Sequence, residues 1–413
     1  MSHLAVALDP FGWHPAAWRR STFDPTAGLR ADHWVRLARQ AQSGLLDFVT
    51  FEDAPGLQSS RYEAVDTRTD QVRGRLDAVL VAARLAPLTQ GLGLVPTAST
   101  TFAEPFHVST AIATLDFVSD GRAGWRPQVH GRAEDARLFG LRSLPPWSPS
   151  ALTPETQAVI RSLFAEAQDV VEVVRWLWDS WEDDAVIRDP GTGRFLDRDR
   201  LHHVDFTGEY FSVKGPSITP RPPQGQPPVI ALAHARVPYE FAARSADVVL
   251  VTPADTEDAA RIVAEVRAAE ADVGRSLPPL LVFADLLTFL DTDSGTAEAR
   301  RAELDELDGQ PLSSDAAIRA TTATQLAEEL EAWERTGIAG FRLRPGEVAV
   351  DLSRITDQLV PLLQSRGTFR RSYTGSTLRE QLGLTRPANR YVVLGGAART
   401  PSPRPGQTPE DPS

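Results

Sequence analysis

The 413-residue sequence contains no cysteine and only one methionine. The missing cysteine removes disulfides, thiolate zinc sites, iron–sulfur clusters and a cysteine nucleophile together. Long apolar runs are missing too. The best candidate, Ala78 to Leu88, is interrupted by Arg84 and Pro87 and falls far short of the roughly 20 residues a membrane span needs. Leu4 to Leu8 is apolar but too short for a signal-peptide core, and Asp9-Pro10 follows it, so the expected location is the cytoplasm. Positive charge is in deficit: 43 Lys and Arg against 55 Asp and Glu give a net charge of −12. Such a surface repels phosphate backbones and anionic headgroups, so neither nucleic acid nor a membrane is an expected partner. Nucleotide and hydrolase signatures are absent as well. There is no Walker loop and no G-x-S-x-G elbow, and Gly91-x-Gly93 lacks the third glycine and the following helix of a dinucleotide fingerprint. His202-His203 has no third ligand type spaced near it, so no metal site is expected.

What is present is a rhythm. Short apolar runs predict strands over Leu4 to Asp9, Leu46 to Phe51, Gly91 to Thr97, Gly124 to Val129, Pro228 to Ala233, Asp247 to Val251, Leu280 to Leu290 and Gly340 to Leu343. Amphipathic stretches between them predict helices. In Ala31 to Ser43, for instance, Trp34, Leu37, Ala38 and Ala41 form one stripe. Thr153 and Pro154 start a long helix ending near Asp179. Within it, the Trp residues of Val174 to Trp181 fall at helical spacing and read as core or interface. About eight strand-then-helix units predict a parallel sheet covered by helices, closed as a TIM-type (β/α)₈ barrel. Residues 1–399 read as one such domain, with a Gly/Pro-rich excursion at 183–226 carrying a hairpin near Val204 to Val213. Residues 400–413 have too few apolar side chains to fold.

In a barrel the chemistry gathers at the C-terminal ends of the strands. That rule selects Asp9, Trp13 and His14 after the first strand, Glu52 and Asp53 after the second, and Thr97 to Thr101 after the third. It also selects Trp125, Arg126 and His130 after the fourth, His234 and Arg236 after the fifth, and Arg344 after the eighth. Each has a plainer reading. Asp9-Pro10 also suits a turn, His14 also suits packing on Trp13 or Trp18, Glu52-Asp53 also suits a salt-bridged rim, and His107 sits on an apolar helix face. The functional reading requires Asp53, Thr97, Trp125 and His234 to surround one cavity.

Several stretches resemble the flavin-dependent monooxygenases related to bacterial luciferase, in the branch containing nitrilotriacetate and dibenzothiophene-sulfone monooxygenases. The stretches are FGWHPAAW (11–18), LDFVTFEDA (46–54), GLGLVPTASTTFAEPFHVSTAIATLDFVSDGRAGW (91–125), LWDSWEDD (177–184), VDFTGEYFSVKGPSITPRPPQG (204–225) and YTGSTLREQLGL (373–384). The resemblance implies a luciferase-like barrel, usually a homodimer or higher oligomer. It implies reduced FMN as cosubstrate, delivered by a separate NAD(P)H-dependent flavin reductase, and oxygenation of a small organic substrate with O₂. By resemblance Asp53 and Thr97 contact the flavin, and His14 lies in the segment lining the substrate side as the catalytic candidate. Related barrels use the deazaflavin F420, which nothing local here singles out.

The same resemblance marks departures. Relatives follow the Gly-Trp pair with Asn; here Arg126 follows Trp125. Positions in the long helix that carry His and Tyr in relatives are Ile160 and Phe164. The fifth strand ends in Ala231-Leu232-Ala233-His234-Ala235-Arg236 where relatives carry a Gly/Ser-rich phosphate loop. Gly and Ser allow close approach of backbone N–H groups and hydroxyls to a phosphate. In their absence Arg126, His234 and Arg236 are the candidates to hold the cofactor. The alternative is a family member with a degenerate FMN site, acting as a non-catalytic partner or a flavin-independent enzyme.

Overall fold

The computed structural model describes residues 2–24, 26–59, 66–140, 142–145 and 153–395. The segment expected to form an unfolded tail, 400–413, lies outside the described residues. Eight parallel strands form the barrel: β1 (His3–Leu8), β2 (Phe48–Phe51), β3 (Gly93–Ser99), β4 (Arg126–Gln128), β5 (Ile230–Leu232), β6 (Val248–Val251), β7 (Leu281–Asp291) and β8 (Gly340–Pro345). Neighbours in sequence pair in parallel from β1 to β4 and from β5 to β8, and β8 returns to β1. The β4–β5 seam is the thinnest. A single parallel bridge from Trp125 to Val229 closes it; the Trp125 N–H donates to the Pro228 carbonyl and the Ile230 N–H to the Trp125 carbonyl, each at 2.9 Å. The predicted (β/α)₈ barrel is therefore the observed fold.

The helices form where their periodicity places them. Ala31–Ser43 buries the predicted stripe of Trp34, Leu37, Ala38 and Ala41 against the strands. Pro154–Asp179 begins at Thr153, whose hydroxyl accepts from the Thr156 N–H at 3.3 Å. Its Trp178 is fully buried and donates from Nε1 to the Ser109 carbonyl at 3.0 Å. The 183–226 excursion makes two antiparallel hairpins, Val186–Asp189 with Arg194–Leu196 and Phe206–Thr207 with Ser212–Val213. It has too few apolar residues for a core of its own, and Val204, Phe206 and Val213 instead pack on Val173, Trp176 and Leu177 of the long helix.

One unit goes beyond the sequence reading. Between β7 and the helix Ala323–Glu334 lie a further helix, Ser294–Asp308, and a strand, Ala317–Thr322, which pairs in parallel with the outer half of β7 from Leu286 to Asp291. The helix is dense in charge and lacks an apolar stripe, so periodicity does not reveal it. Its ends are legible, however: the Asp293 carboxylate caps it by accepting from the Thr296 N–H at 2.8 Å, and Gly309 ends it in the left-handed region at φ +79°.

The barrel interior has two storeys. Phe48, Val95, Ile230, Leu250 and Phe283 form an apolar floor, closed at the N-terminal ends of the strands by Leu378, Leu382 and Leu384 from the C-terminal segment. Two residues further along the strands the chemistry changes, because inward positions recur with period two. Phe48 is followed inward by Thr50 and then Glu52, Phe283 by Asp285, and Gly340 by Arg342 and Arg344. The roof of this barrel is ionic, where most such barrels carry branched apolar side chains.

Candidate active site

The roof is a continuous lattice of arginines and carboxylates at the C-terminal mouth. Arg342 donates from Nε to Asp285 at 2.9 Å and from Nη1 to the Thr50 hydroxyl at 3.1 Å, and it reaches Glu52 at 3.5 Å. Arg344 donates from Nε to the same Asp285 at 3.1 Å and from Nη1 to Asp315 at 2.6 Å. Arg126 donates to the Thr97 hydroxyl at 2.9 Å, to Gln128 at 3.0 Å and to Glu52. Burial pushes the Glu52 and Asp285 carboxyls up, but the neighbouring guanidiniums outweigh it and hold both below the usual carboxylate range. Trp13 covers the lattice, its ring centroid 4.8 Å from the Arg344 guanidinium carbon. Gly12 makes that placement possible. At φ +132° it passes so close to the loop after β8 that a Cβ there would lie 2.3 Å from the Gly346 carbonyl.

The residues singled out by sequence take up distinct places. Asp53 turns outward from the lattice, and its carboxylate accepts from the Ala54 N–H at 2.8 Å and the Ala78 N–H at 3.1 Å. Burial raises its pKa. Thr97 donates to the Phe51 carbonyl at 2.7 Å while accepting from Arg126. Asp53 and Thr97 line one cleft of about 470 Å³ together with Ser99, His107 and His130. The Ser99 hydroxyl, which accepts from the Thr101 and Phe102 N–H groups, is hydrogen-bonded to His130 Nδ1 at 3.0 Å. Burial, then the nearby Arg126, Arg75 and Arg132, lower the His130 pKa to about 4.

Trp125 does not join them. Strand alternation turns Arg126 inward and Trp125 outward, where it is fully buried edge-on against Trp178 at 6.4 Å. His234 stands on the opposite side of the mouth, bonded through Nδ1 to the Thr252 hydroxyl at 2.9 Å and lying 3.5 Å from Asp315. Asp53, Thr97, Trp125 and His234 therefore do not surround one cavity. Arg236 is exposed and pairs with Glu240 at 2.6 Å and with Asp272. The His14 side chain is fully buried: Nδ1 accepts from the Ala16 N–H at 3.1 Å and Nε2 faces Asp305 at 3.0 Å. Burial holds its pKa down against the pull of Asp305. His202 meets Glu182 at 2.9 Å and stacks on Tyr391, and among the described residues no His/Asp/Glu cluster fit for a metal occurs.

A second cavity, of about 400 Å³, opens between the loops that follow β1 and β2. Phe11, Trp18, Phe23, Trp34 and Phe51 give it apolar lining, and Asp9, Glu52 and Arg75 line it as well. The Asp9 carboxyl is raised by burial despite accepting from the Phe11 and Gly12 N–H groups at 3.2 and 3.3 Å. Arg75 was missed in the sequence because it lies in a loop with no strand end beside it.

A flavin asks for a slot for its ring and donors for its phosphate. Both cavities have the volume of cofactor or ligand sites, typically about 300–1,000 Å³. The resemblance places the phosphate near Phe164 and the start of the helix after β5. Phe164 packs on Phe241 at 5.6 Å, the helix Arg236–Ser245 starts at Ala235 with no side-chain cap, and Pro238 removes an N–H from its first turn.

The chain is similar along nearly its whole length to proteins of known activity. N-acetyl-S-(2-succino)cysteine monooxygenase from Bacillus subtilis (strain 168) is 29% identical over 94% of this chain and 98% of its own. Component A of nitrilotriacetate monooxygenase from Aminobacter aminovorans is 27% identical over 94% and 97%. Among solved structures, a riboflavin lyase with modified FMN and riboflavin superposes with a TM-score of 0.78 at 23% identity, over 95% of this chain and 98% of that one, a likeness of fold. The family model described as luciferase-like monooxygenase matches residues 15–360, and with that span covering most of the barrel, the chain belongs to the luciferase-like monooxygenase family.

Proposed function

We propose that this chain is the oxygenase component of a two-component flavin monooxygenase. Reduced FMN made by a separate NAD(P)H-dependent reductase supplies the electrons, and O₂ and a small organic compound are the other substrates. The observation that carries the reading is the family match over residues 15–360, joined to the strand-end cleft holding Asp53 and Thr97. The name of the Aminobacter relative, a component A, supports a separate reductase. Homodimerisation belongs to the same reading. The helices Ala78–Leu85 and Pro105–Val118 expose Leu80, Phe117 and Val118 on an outer face that a second copy would cover. No helix among the described residues is long and apolar enough to cross a membrane, which accords with the proposed cytoplasmic location.

Anaerobic titration with reduced FMN tests the reading, with micromolar binding as the expected result. Asp53→Ala is expected to weaken that binding. Because Asp53 also holds the Ala78 N–H at a helix start, the variant should lose about 1 kcal/mol of stability as well. Unchanged flavin affinity in the variant would remove Asp53 from the site. The Ala231–Arg236 segment, which lacks the Gly and Ser that the resemblance implies, favours a second reading, a family member that works without tightly held FMN, as a partner subunit or a flavin-independent enzyme. Absence of binding at millimolar flavin would decide for it.

A further inference from the structure

The arginines of the mouth differ in one respect. Arg126, Arg342 and Arg344 spend their donors on protein carboxylates and hydroxyls. Among the described residues Arg75 makes no hydrogen bond and no ion pair, and it is the only arginine off the exposed surface of which this is true. It lines the aromatic-walled 400 Å³ cavity and also a 250 Å³ cavity that shares Asp9, Glu52, Gln58 and Gln71 with it. Asp9, Glu52 and Asp53 lie near enough to feel its charge, but none of them forms an ion pair with it. Glu52 is committed to Arg126 and Arg342, Asp53 to two backbone N–H groups, and Asp9 to the Phe11 and Gly12 N–H groups. His130, also nearby, is held neutral. The other two arginines of the cavity wall are occupied, Arg19 with the Leu307 carbonyl and Asp70, and Arg73 with Asp66.

An unpartnered guanidinium in the lining of a largely apolar cavity is a receptor for a planar anion. Its forked N–H groups match the two oxygens of a carboxylate, and in a site shielded from water that pairing is stronger than in solution. The aromatic wall favours an apolar body on the same molecule. We infer that the substrate is an organic carboxylic acid whose carboxylate pairs with Arg75 and whose apolar part lies against Phe11, Trp18, Phe23 and Trp34. This assigns a substrate class to the proposed monooxygenase and rests on that reading for the reaction, while the binding itself is independent of flavin.

The test uses flavin-free full-length protein and the tryptophan fluorescence of the cavity wall. Phenylacetate, 3-phenylpropionate and 4-phenylbutyrate are titrated beside their primary amides, which keep the shape and lose the charge. At least one acid is expected to bind on the order of tenfold tighter than its amide, as the loss of a charged hydrogen-bonding partner implies. Arg75→Gln should abolish the difference and Arg75→Lys should keep part of it, with circular dichroism and melting temperature unchanged. Equal binding of acid and amide, no binding of any acid, or full discrimination surviving in Arg75→Gln would overturn the inference. So would an Arg75→Gln variant that loses reduced FMN while still preferring the acid, since Arg75 would then serve the flavin. If the unaltered protein prefers the acid through Arg75 but binds no flavin, the carboxylate site stands and the monooxygenase reading falls.

Discussion

The floor and the roof of this barrel solve opposite problems with the same strands. At the floor, Phe48, Val95 and Phe283 meet Leu378, Leu382 and Leu384, and burial of apolar surface holds the strand ends together. Charge is displaced below that plug, where Asp247 is buried between Arg175 at 2.8 Å and Arg379 at 3.3 Å. At the roof the charges occupy the barrel axis itself, and two cavities open beside them. Packing is non-directional and tolerates replacement by shape. An ionic lattice fixes each member through its neighbours, because a buried charge without a partner is costly. The floor is therefore a closure, and the roof is a rigid electrostatic frame against which loops form binding sites.

The largest expected effect breaks the frame. Asp285 is the one carboxylate shared by Arg342 and Arg344. Asp285→Ala would leave two buried guanidiniums competing for Glu52 and Asp315, with an expected loss of roughly 3–5 kcal/mol in urea unfolding. A loss below about 1 kcal/mol would make the lattice equivalent to a surface pair. Next is the floor. Leu378→Ala empties a fully buried position and should cost roughly 2–5 kcal/mol, with binding at the cavities unchanged once the protein is folded. Altered ligand binding in that variant would erase the division between the storeys.

A smaller effect concerns pH. His130 has its pKa held at about 4 instead of 6.5 by burial and three arginines. Between those values the unfolded chain takes up a proton that the folded chain refuses. The stabilisation is complete above pH 6.5 and is lost as pH falls toward 4. Unfolding free energies measured across that window should decline with acid, and less steeply in His130→Gln. Identical slopes for the two proteins would show that the Ser99–His130 pair is open to water.

Much of the fold was legible because periodicity is local. The stripe of Ala31–Ser43, the Thr153–Pro154 helix start and the eight apolar runs each lie within a few adjacent residues. The roof was legible only in pieces. Glu52, Arg126 and Arg344 stand at strand ends as the barrel rule requires, but their partners Asp285, Arg342 and Asp315 lie far along the chain on other elements. Trp125 was misplaced for a different reason. Period two settles which residues share a face but does not say which face is inward, and in a strand as short as β4 the sequence alone does not decide between Trp125 and Arg126.

Arg236 has the smallest expected effect and the sharpest use. By resemblance it is a candidate to hold the phosphate where relatives carry a Gly/Ser-rich loop, yet in the structure its guanidinium is exposed and paired with Glu240 and Asp272. The pairs lie in water, where side-chain entropy and screening cancel most of the attraction. Arg236→Ala should therefore leave both melting temperature and reduced-FMN affinity where they were. If flavin affinity instead drops while the melting temperature holds, Arg236 leaves its two carboxylates to meet the phosphate, and the working site extends from the β2–β3 side of the mouth across to β5. In that event the lattice between the two sides is the base of one continuous site, and its arginines lie beneath the cofactor as well as beside the cavities.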